Sequence, residues 1–230
     1  MYTINTFKSR TELDNTLAQN VASLLSEAVS KNGKASIAVS GGSTPKGFFA
    51  ALSNIDLPWA NITVTLADER WVNIDSDASN TRLVFESLIQ NKAVDAKFFH
   101  LKQGVKLNEE TLADLNVAVD SSLLPFDVVI LGMGEDGHTA SLFPCSEQID
   151  VCLDENSPSI ISVQPETAPH QRVSFSYQAL KNSQHIILHI CGDNKRQVLD
   201  QALSNSNAKE MPIRAFLHSQ DVNTQVLWAE

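Results

Sequence analysis

The sequence has few cysteines, few cations and no long apolar run, and each of these shortages excludes a class of protein. Its three cysteines, Cys145, Cys152 and Cys191, are an odd number and include no CxxC pair. Neither a disulfide framework nor a zinc ribbon is therefore indicated, and we expect a reducing, cytoplasmic location. No uninterrupted apolar stretch approaches the roughly 18 residues of a membrane span, and the amino terminus lacks the basic start of a signal peptide.

Positive charge is scarce as well, because 17 Lys and Arg residues stand against 27 Asp and Glu residues, a formal net charge of −10. This balance argues against nucleic acid or an anionic membrane as a partner, so any anionic ligand must be held by local groups. Apolar residues, in contrast, make up 43% of the 230 residues, which is enough to bury a full core. With no internal repeat and no low-complexity linker, the chain is predicted to form a single domain over residues 1–230.

Strand-like apolar runs alternate with helical patterns along the chain. We predict strands at residues 35–40, 62–67, 98–101, 126–131, 160–163, 172–176, 185–191 and 225–228. Helical spacing and capping signals predict helices at residues 9–32, after Pro45, at 80–89, at 108–123, near Lys195 and after Pro212. This alternation predicts an α/β fold with a single doubly wound, mainly parallel sheet and helices on both of its faces.

The segment Gly41-Gly42-Ser43-Thr44-Pro45 follows the first of these strands and has the composition of an anion-binding turn. We predict that Thr44 caps a helix and that Pro45 takes its first position. Backbone N–H groups, the two hydroxyls and the helix dipole would then favour a bound anion. The spacing matches neither GxxxxGKS/T nor GxGxxG, so a single phosphate is indicated rather than a nucleotide. The alternative is a turn whose glycines serve only close packing.

Three charged residues, Asp68, Glu69 and Arg70, come directly after the strand at 62–67. In a parallel sheet the carboxyl ends of strands meet at one edge, where ligands bind. Arg70 would grip an oxyanion there and Asp68 would contact a hydroxyl, and the following helix could bring Arg82 to the same edge. A surface ion cluster is the alternative interpretation.

A third polar segment, 132–138, follows the apolar run at 126–131 and interleaves three glycines with Asp136 and His138. Histidine titrates near neutrality, which makes His138 the first candidate for acid or base chemistry. A solvated Asp/Gly turn is the alternative. His185 and His189 suggest no metal site, because residues i and i+4 of a strand lie roughly 13 Å apart.

Taken together, four segments resemble the 6-phosphogluconolactonases in order and spacing. They are Ser40 to Pro45, Asp68 to Val72, Ser79-Asn80 and Gly132 to Pro144, and the similarity continues through 172–174 and 192–195. The resemblance implies a fold shared with the glucosamine-6-phosphate deaminases. It also implies hydrolysis of 6-phospho-D-glucono-1,5-lactone, a small phosphorylated sugar lactone, to 6-phospho-D-gluconate in the oxidative pentose phosphate pathway. A lactone is an activated ester, so neither a metal nor an organic cofactor is required.

The resemblance also implies a role for individual residues. His138 would be the general base on the attacking water, and Asp136 would orient its ring. The phosphate would be held by loop groups and cations, namely Gly42, Ser43, Thr44, Arg70 and Lys195. Arg172 and Arg82 would bind substrate oxygens, and Asp68 a sugar hydroxyl.

Two alternatives remain beside this interpretation. Glucosamine-6-phosphate deaminases have a similar phosphate loop and Asp-Gly-His segment, but theirs continues like His-Ile-Ala-Phe-Asn-Glu-Pro. This chain has no glutamate before Pro144, so it lacks an acid that deaminase chemistry needs for ring opening. A non-catalytic sugar-phosphate sensor would normally carry a DNA-binding segment, and no helix-turn-helix pattern precedes the first helix.

Overall fold

The computed structural model describes residues 1–230 and contains two β-sheets and eight α-helices. The strands are β1 (Tyr2–Phe7), β2 (Ala35–Val39), β3 (Ile62–Leu66), β4 (Asp68–Arg70), β5 (Lys97–Phe98), β6 (Val128–Leu131), β7 (Ile160–Val163), β8 (Arg172–Phe175), β9 (His185–Cys191) and β10 (Thr224–Ala229). The helices are α1 (Arg10–Asn32), α2 (Lys46–Ser53), α3 (Asn80–Ser87), α4 (Glu109–Ser122), α5 (Ile149–Leu153), α6 (Tyr177–Lys181), α7 (Asp193–Leu203) and α8 (Arg214–Leu217). None of the helices combines the length and the apolar character needed to cross a lipid bilayer.

The larger sheet has seven strands in the order β1-β10-β9-β6-β2-β3-β5, and every neighbouring pair is parallel. The predicted α/β fold with a mainly parallel sheet is confirmed. Strands β2 and β6 are buried at every position, as expected of apolar runs covered on both faces of a parallel sheet. Both sheets contribute to one hydrophobic cluster of 59 buried residues. The extent of the domain, residues 1–230, stays a prediction.

A second, three-stranded sheet in the order β4-β8-β7 is antiparallel and was not separated from the first by the sequence pattern. Only Ala67 lies between β3 and β4, so the chain passes directly from one sheet into the other. Asp68, Glu69 and Arg70 therefore form a strand of their own rather than a loop. This strand places their side chains beside the carboxyl edge of the large sheet.

Helix α1 begins and ends as predicted. The Ser9 hydroxyl accepts a hydrogen bond from the Glu12 N–H group, and Gly33 ends the helix in the left-handed conformation with φ 73°. The buried face consists of Leu13, Leu17, Ala18, Val21, Ala22 and Leu25. This long helix packs against α2, the helix that follows the Gly41–Pro45 turn.

The predicted cap of helix α2 is wrong. The helix begins at Lys46, its first turn is closed by the Phe49 N–H group donating to the Pro45 carbonyl, and no side chain caps it. Pro45, with φ −77° and ψ −5°, occupies the cap position instead of Thr44. The Thr44 hydroxyl is thus left free for another partner.

Candidate active site

A cavity of about 280 Å³ lies at the carboxyl ends of β2, β6 and β9, with β4 and β8 along one side. Eight of the ten residues predicted from the sequence line it: Gly42, Ser43, Thr44, Asp68, Arg70, His138, Arg172 and Lys195. Asp136 lies behind His138, and Arg82 lies elsewhere. The large sheet therefore brings together three segments that are far apart in the chain.

The turn at Gly41–Pro45 presents unused hydrogen-bond donors to this cavity. No backbone N–H group from Gly41 through Thr44 donates to a protein acceptor. Gly42 has φ 94°, and a Cβ at Gly41 would overlap the Asn80 amide, so both positions require glycine. Convergent free N–H groups are the usual backbone site for a phosphate or another anion.

Two cations without counter-ions, Arg70 and Lys195, line the same cavity. Neither forms a salt bridge. Arg70 donates from Nη1 to the Ala78 carbonyl at 2.7 Å, and its Nε is buried without any partner. A buried donor without a partner is costly, and an anionic ligand would satisfy it. These cations hold local positive charge in a chain that is acidic overall.

Glu69 serves the scaffold rather than the ligand. Its carboxylate accepts from the N–H groups of Arg70, Asn80 and Thr81 and from the Ser79 hydroxyl, at 2.7 to 3.1 Å. It therefore satisfies the amino-terminal donors of α3, where a negative charge is also favoured by the helix dipole. Asn80 in turn donates from Nδ2 to the Asp68 carbonyl at 3.0 Å, which ties α3 to β4.

His138 and Asp136 form a close pair on the segment that follows β6. His138 Nδ1 lies 2.5 Å from Asp136 Oδ1, and the ring stacks on Phe143 with centroids 4.1 Å apart. Burial raises the pKa of the Asp136 carboxyl, but the hydrogen bond and charge of His138 outweigh burial and leave this pKa below its ordinary value. The ionised carboxylate holds the proton on Nδ1, so His138 Nε2 carries the lone pair.

Two glycines make this pair possible. A Cβ at Gly134 would overlap the His138 ring, and Gly137 has φ 75° with Met211 packed directly against it. Thr139 fixes the far side of the turn, because its hydroxyl donates to the Gly132 carbonyl at 2.8 Å. The turn therefore has a defined shape rather than the free movement expected of a solvated glycine loop.

Asp68 and Arg172 form a second charged pair in the cavity wall, with Asp68 Oδ2 3.8 Å from Arg172 Nη1. Both residues are 6% exposed. Burial lowers the pKa of the Arg172 guanidinium, with Asp68 opposing that change and the nearby charge of Arg70 adding to it. A guanidinium that has lost water in this way gains strongly from an additional negative oxygen.

Arg82, like Asp136, is a predicted site residue that does not line the cavity. Its guanidinium is 2.7 Å from both Asp77 and Glu86 on the outer side of α3. The opening beside it is also lined by Gly42, Ser43 and Arg70, so it adjoins the main cavity at the Gly41–Pro45 turn. Arg82 therefore lies outside the main cavity, and its contact with substrate oxygens stays a prediction.

The sequence interpretation gave no role to Asn80 and His189, which line the cavity, or to Ser141, which is buried behind the cavity wall. Asn80 and Ser141 belong to the family motifs. His189 lines the cavity, packs edge-on against Phe48 and lies 3.4 Å from Asp14, while His185 is exposed at the start of the same strand. No group of three or more His, Cys, Asp or Glu side chains is arranged to hold a metal ion.

Comparison with known proteins identifies the relatives of this chain. The sequence model of the family described as Glucosamine-6-phosphate isomerases/6-phosphogluconolactonase matches residues 8–228. The chain belongs to this family. Within the family it is 41% identical over 224 residues to the 6-phosphogluconolactonase of Rhizobium meliloti (strain 1021), with 97% of each protein covered. It is 40% identical to the 6-phosphogluconolactonase of Neisseria meningitidis serogroup A, with 100% of both covered.

Solved structures of the glucosamine-6-phosphate isomerase/6-phosphogluconolactonase family agree with this assignment. A 6-phosphogluconolactonase from Shewanella baltica OS155 superposes with a TM-score of 0.96 at 43% identity, covering 100% of this chain and 98% of that one. A monomeric glucosamine-6-phosphate deaminase superposes with a TM-score of 0.80 at 20% identity, covering 98% of this chain and 97% of that one, which shows the shared fold alone. The resemblance predicted from the motifs is therefore confirmed, while the roles of the individual residues stay predictions.

Proposed function

We propose that this chain hydrolyses 6-phospho-D-glucono-1,5-lactone to 6-phospho-D-gluconate. One observation carries the proposal: an Asp-paired histidine and a turn with free N–H groups line the same cavity of about 280 Å³. A base and an anion site in one cavity suit a compact phosphorylated sugar. Relatives about 40% identical over their full length are named for this reaction.

His138 acts as the general base. Asp136 accepts a hydrogen bond from Nδ1–H, so Nε2 is free to take a proton from water as the water oxygen bonds to the lactone carbonyl carbon. The carbonyl π electrons move onto oxygen and form a tetrahedral oxyanion. When the carbonyl re-forms, the bond to the ring oxygen breaks, and that oxygen receives the proton from the imidazolium. The resulting acid ionises and releases one proton to solution.

The phosphate is held at the Gly41–Pro45 turn. The free N–H groups of Gly42, Ser43 and Thr44 and the two hydroxyls donate to its oxygens, and Arg70 and Lys195 neutralise its charge. Since these groups lie away from the bond that breaks, they place the carbonyl carbon within reach of the water on His138.

Asp68 and Arg172 bind the sugar portion of the substrate. The Asp68 carboxylate accepts a hydrogen bond from a ring hydroxyl, and Arg172 donates to a substrate oxygen. We further propose that the protein works as one domain in the cytoplasm, without nucleic acid as a partner. The acidic net charge and the three free thiols support this placement.

A pH-stat assay tests the proposal by following proton release from freshly prepared 6-phosphogluconolactone. We expect release well above the spontaneous rate, and no ammonia or fructose 6-phosphate from glucosamine 6-phosphate. Spontaneous-rate hydrolysis of the lactone with purified, folded protein would contradict the proposed function. Ammonia release from glucosamine 6-phosphate would instead support the deaminase alternative.

A further inference from the structure

Ser141 is a buried polar residue to which the proposed mechanism gives no role. It is fully buried, and its hydroxyl donates to Asp68 Oδ2 at 2.5 Å. Its N–H group donates to the Ser174 hydroxyl at 3.2 Å. Asp68 and Ser174 are direct partners across the β4–β8 pair, so Ser141 binds both members of one cross-strand pair.

These contacts leave the Asp68 carboxylate with one oxygen occupied and one free. Oδ2 receives the Ser141 hydroxyl and faces Arg172 Nη1 at 3.8 Å. No protein group donates to Oδ1, although Asp68 is only 6% exposed and lines the cavity. A carboxylate accepts about four hydrogen bonds, so Oδ1 keeps its capacity for a ligand hydroxyl.

Ser141 also lies three residues after His138, on the same turn. The turn is held to β6 by Thr139 and to the small sheet by Ser141, so these two residues fix it on opposite sides. Through Ser141 the placement of the Asp68 carboxylate is coupled to the turn that carries the histidine. Fixing the rotamer of a ligand-binding side chain in this way lowers the entropy lost when the ligand binds.

We propose that Ser141 is a positioning residue, which holds the Asp68 carboxylate so that Oδ1 accepts a hydrogen bond from a hydroxyl of the sugar phosphate. Ser141 itself does not touch the ligand. The inference rests on the proposed function and adds to it a residue that sets ring recognition. It predicts that the loss of the Ser141 hydroxyl acts on substrate binding, and only through Asp68.

The test is a double-mutant cycle on lactone hydrolysis with Ser141→Ala, Asp68→Ala and the combined variant. In the wild-type background we expect Ser141→Ala to raise KM about 10-fold and to leave kcat within about threefold. In the Asp68→Ala background the same substitution should change KM less than about twofold, because Ser141 then has no side chain to position. A purely structural defect would lower the active fraction, and with it kcat, but would not raise KM.

Two further variants keep the result interpretable. Ser146→Ala is the matched control, because Ser146 is another buried serine of the same segment whose hydroxyl donates only to the Phe143 carbonyl, at 3.0 Å. It should leave KM within about twofold of the wild type. Ser141→Cys keeps a donor at this position, although a larger and weaker one, and it should give a KM between those of the wild type and Ser141→Ala.

The inference would be overturned if Ser141→Ala changed KM equally in the wild type and in the Asp68 variant. It would also be overturned if Ser141→Ala or Ser141→Cys had the KM of the wild type. Failure of the wild type to hydrolyse the lactone would overturn the proposed function instead. In that event the cycle is run on the affinity for 6-phospho-D-gluconate, measured by calorimetry. Loss of coupling between Ser141 and Asp68 in that measurement would overturn the inference by itself.

Discussion

The hydrogen bond between Asp136 and His138 decides which ring nitrogen can act as a base. Because Asp136 engages Nδ1, the lone pair lies on Nε2 and the ring cannot turn without losing this bond and its stacking on Phe143. Catalysis and substrate binding are therefore divided between different residues: His138 serves the chemical step, and the loop at Gly42–Thr44 serves binding. This division can be measured by separating kcat from KM.

Replacement of His138 by alanine should remove the base and leave the phosphate site intact. We expect kcat for lactone hydrolysis to fall at least about 100-fold while the affinity for 6-phospho-D-gluconate stays within about threefold. A pH-stat assay measures kcat, and calorimetry measures the affinity for 6-phospho-D-gluconate. His185→Ala is the control, since His185 is exposed at the opposite end of β9. An unchanged kcat in His138→Ala would remove the histidine from the mechanism.

Replacement of Arg70 by alanine should act on the phosphate alone. We expect KM for the phosphorylated lactone to rise at least about 10-fold, because a charge-assisted contact is lost, while hydrolysis of unphosphorylated gluconolactone changes less than about twofold. Arg196→Ala is the control, since Arg196 is paired with Asp200 on the outer face of α7. Similar losses on both substrates would place Arg70 at the sugar instead of the phosphate.

At the scale of elements, the sequence predicts best what is decided locally. Strand β6 is an uninterrupted apolar run, and the cap and stop of α1 are signals within a few residues of the helix ends. Strand β1 was missed because it lies at an edge and is mostly exposed, so it has no apolar run. Strand β4 was missed because three charged residues become a strand only by pairing with β8.

The contacts of the site also differ in whether they form within one segment or between segments that are far apart in the chain. His138 and Asp136 are two residues apart, and the glycines that shape their turn belong to the same segment, so the motif is visible locally. The partner of Ser141, by contrast, is Asp68, which lies 73 positions earlier. No local pattern reveals that contact, because the two segments meet only in the folded chain, where Ser141 binds both Asp68 and its β8 partner Ser174.

Helix α1 provides a prediction at this scale. Ser9→Ala removes the side chain that accepts the Glu12 N–H group, and we expect a loss of about 1 kcal/mol in the free energy of unfolding. Urea denaturation followed by circular dichroism measures it. Ser23→Ala, an exposed serine in the middle of the same helix, is the control and should cost nothing measurable. Equal stability of Ser9→Ala and the wild type would show that the cap is not needed.

At the scale of the whole molecule, pH changes the free energy of unfolding through groups whose pKa differs between the folded and unfolded states. The pKa of Asp136 in the folded protein lies below its ordinary value of 3.8. The folded state therefore binds fewer protons than the unfolded state in this range. The contribution of Asp136 to stability is fully present above its ordinary pKa and disappears as the pH falls through the folded value.

Asp136→Asn should accordingly be less stable than the wild type at pH 7, and the difference should shrink as the pH falls below 3.8. Denaturant unfolding of both proteins across this pH range measures the effect. Asp56→Asn offers a comparison, because Asp56 is exposed, lies outside the helices and makes no salt bridge. A stability difference for Asp136→Asn that is constant with pH would contradict the ionised pairing with His138.

The close approach of Asn80 to Gly41 limits how this molecule can be redesigned. A side chain at position 41 would overlap the Asn80 amide, and that amide also donates a hydrogen bond to the Asp68 carbonyl. Libraries that randomise position 41 alone should therefore return only the parental residue. Altered ligand preference at this corner requires simultaneous changes at positions 41 and 80, which a stepwise mutational walk would rarely reach.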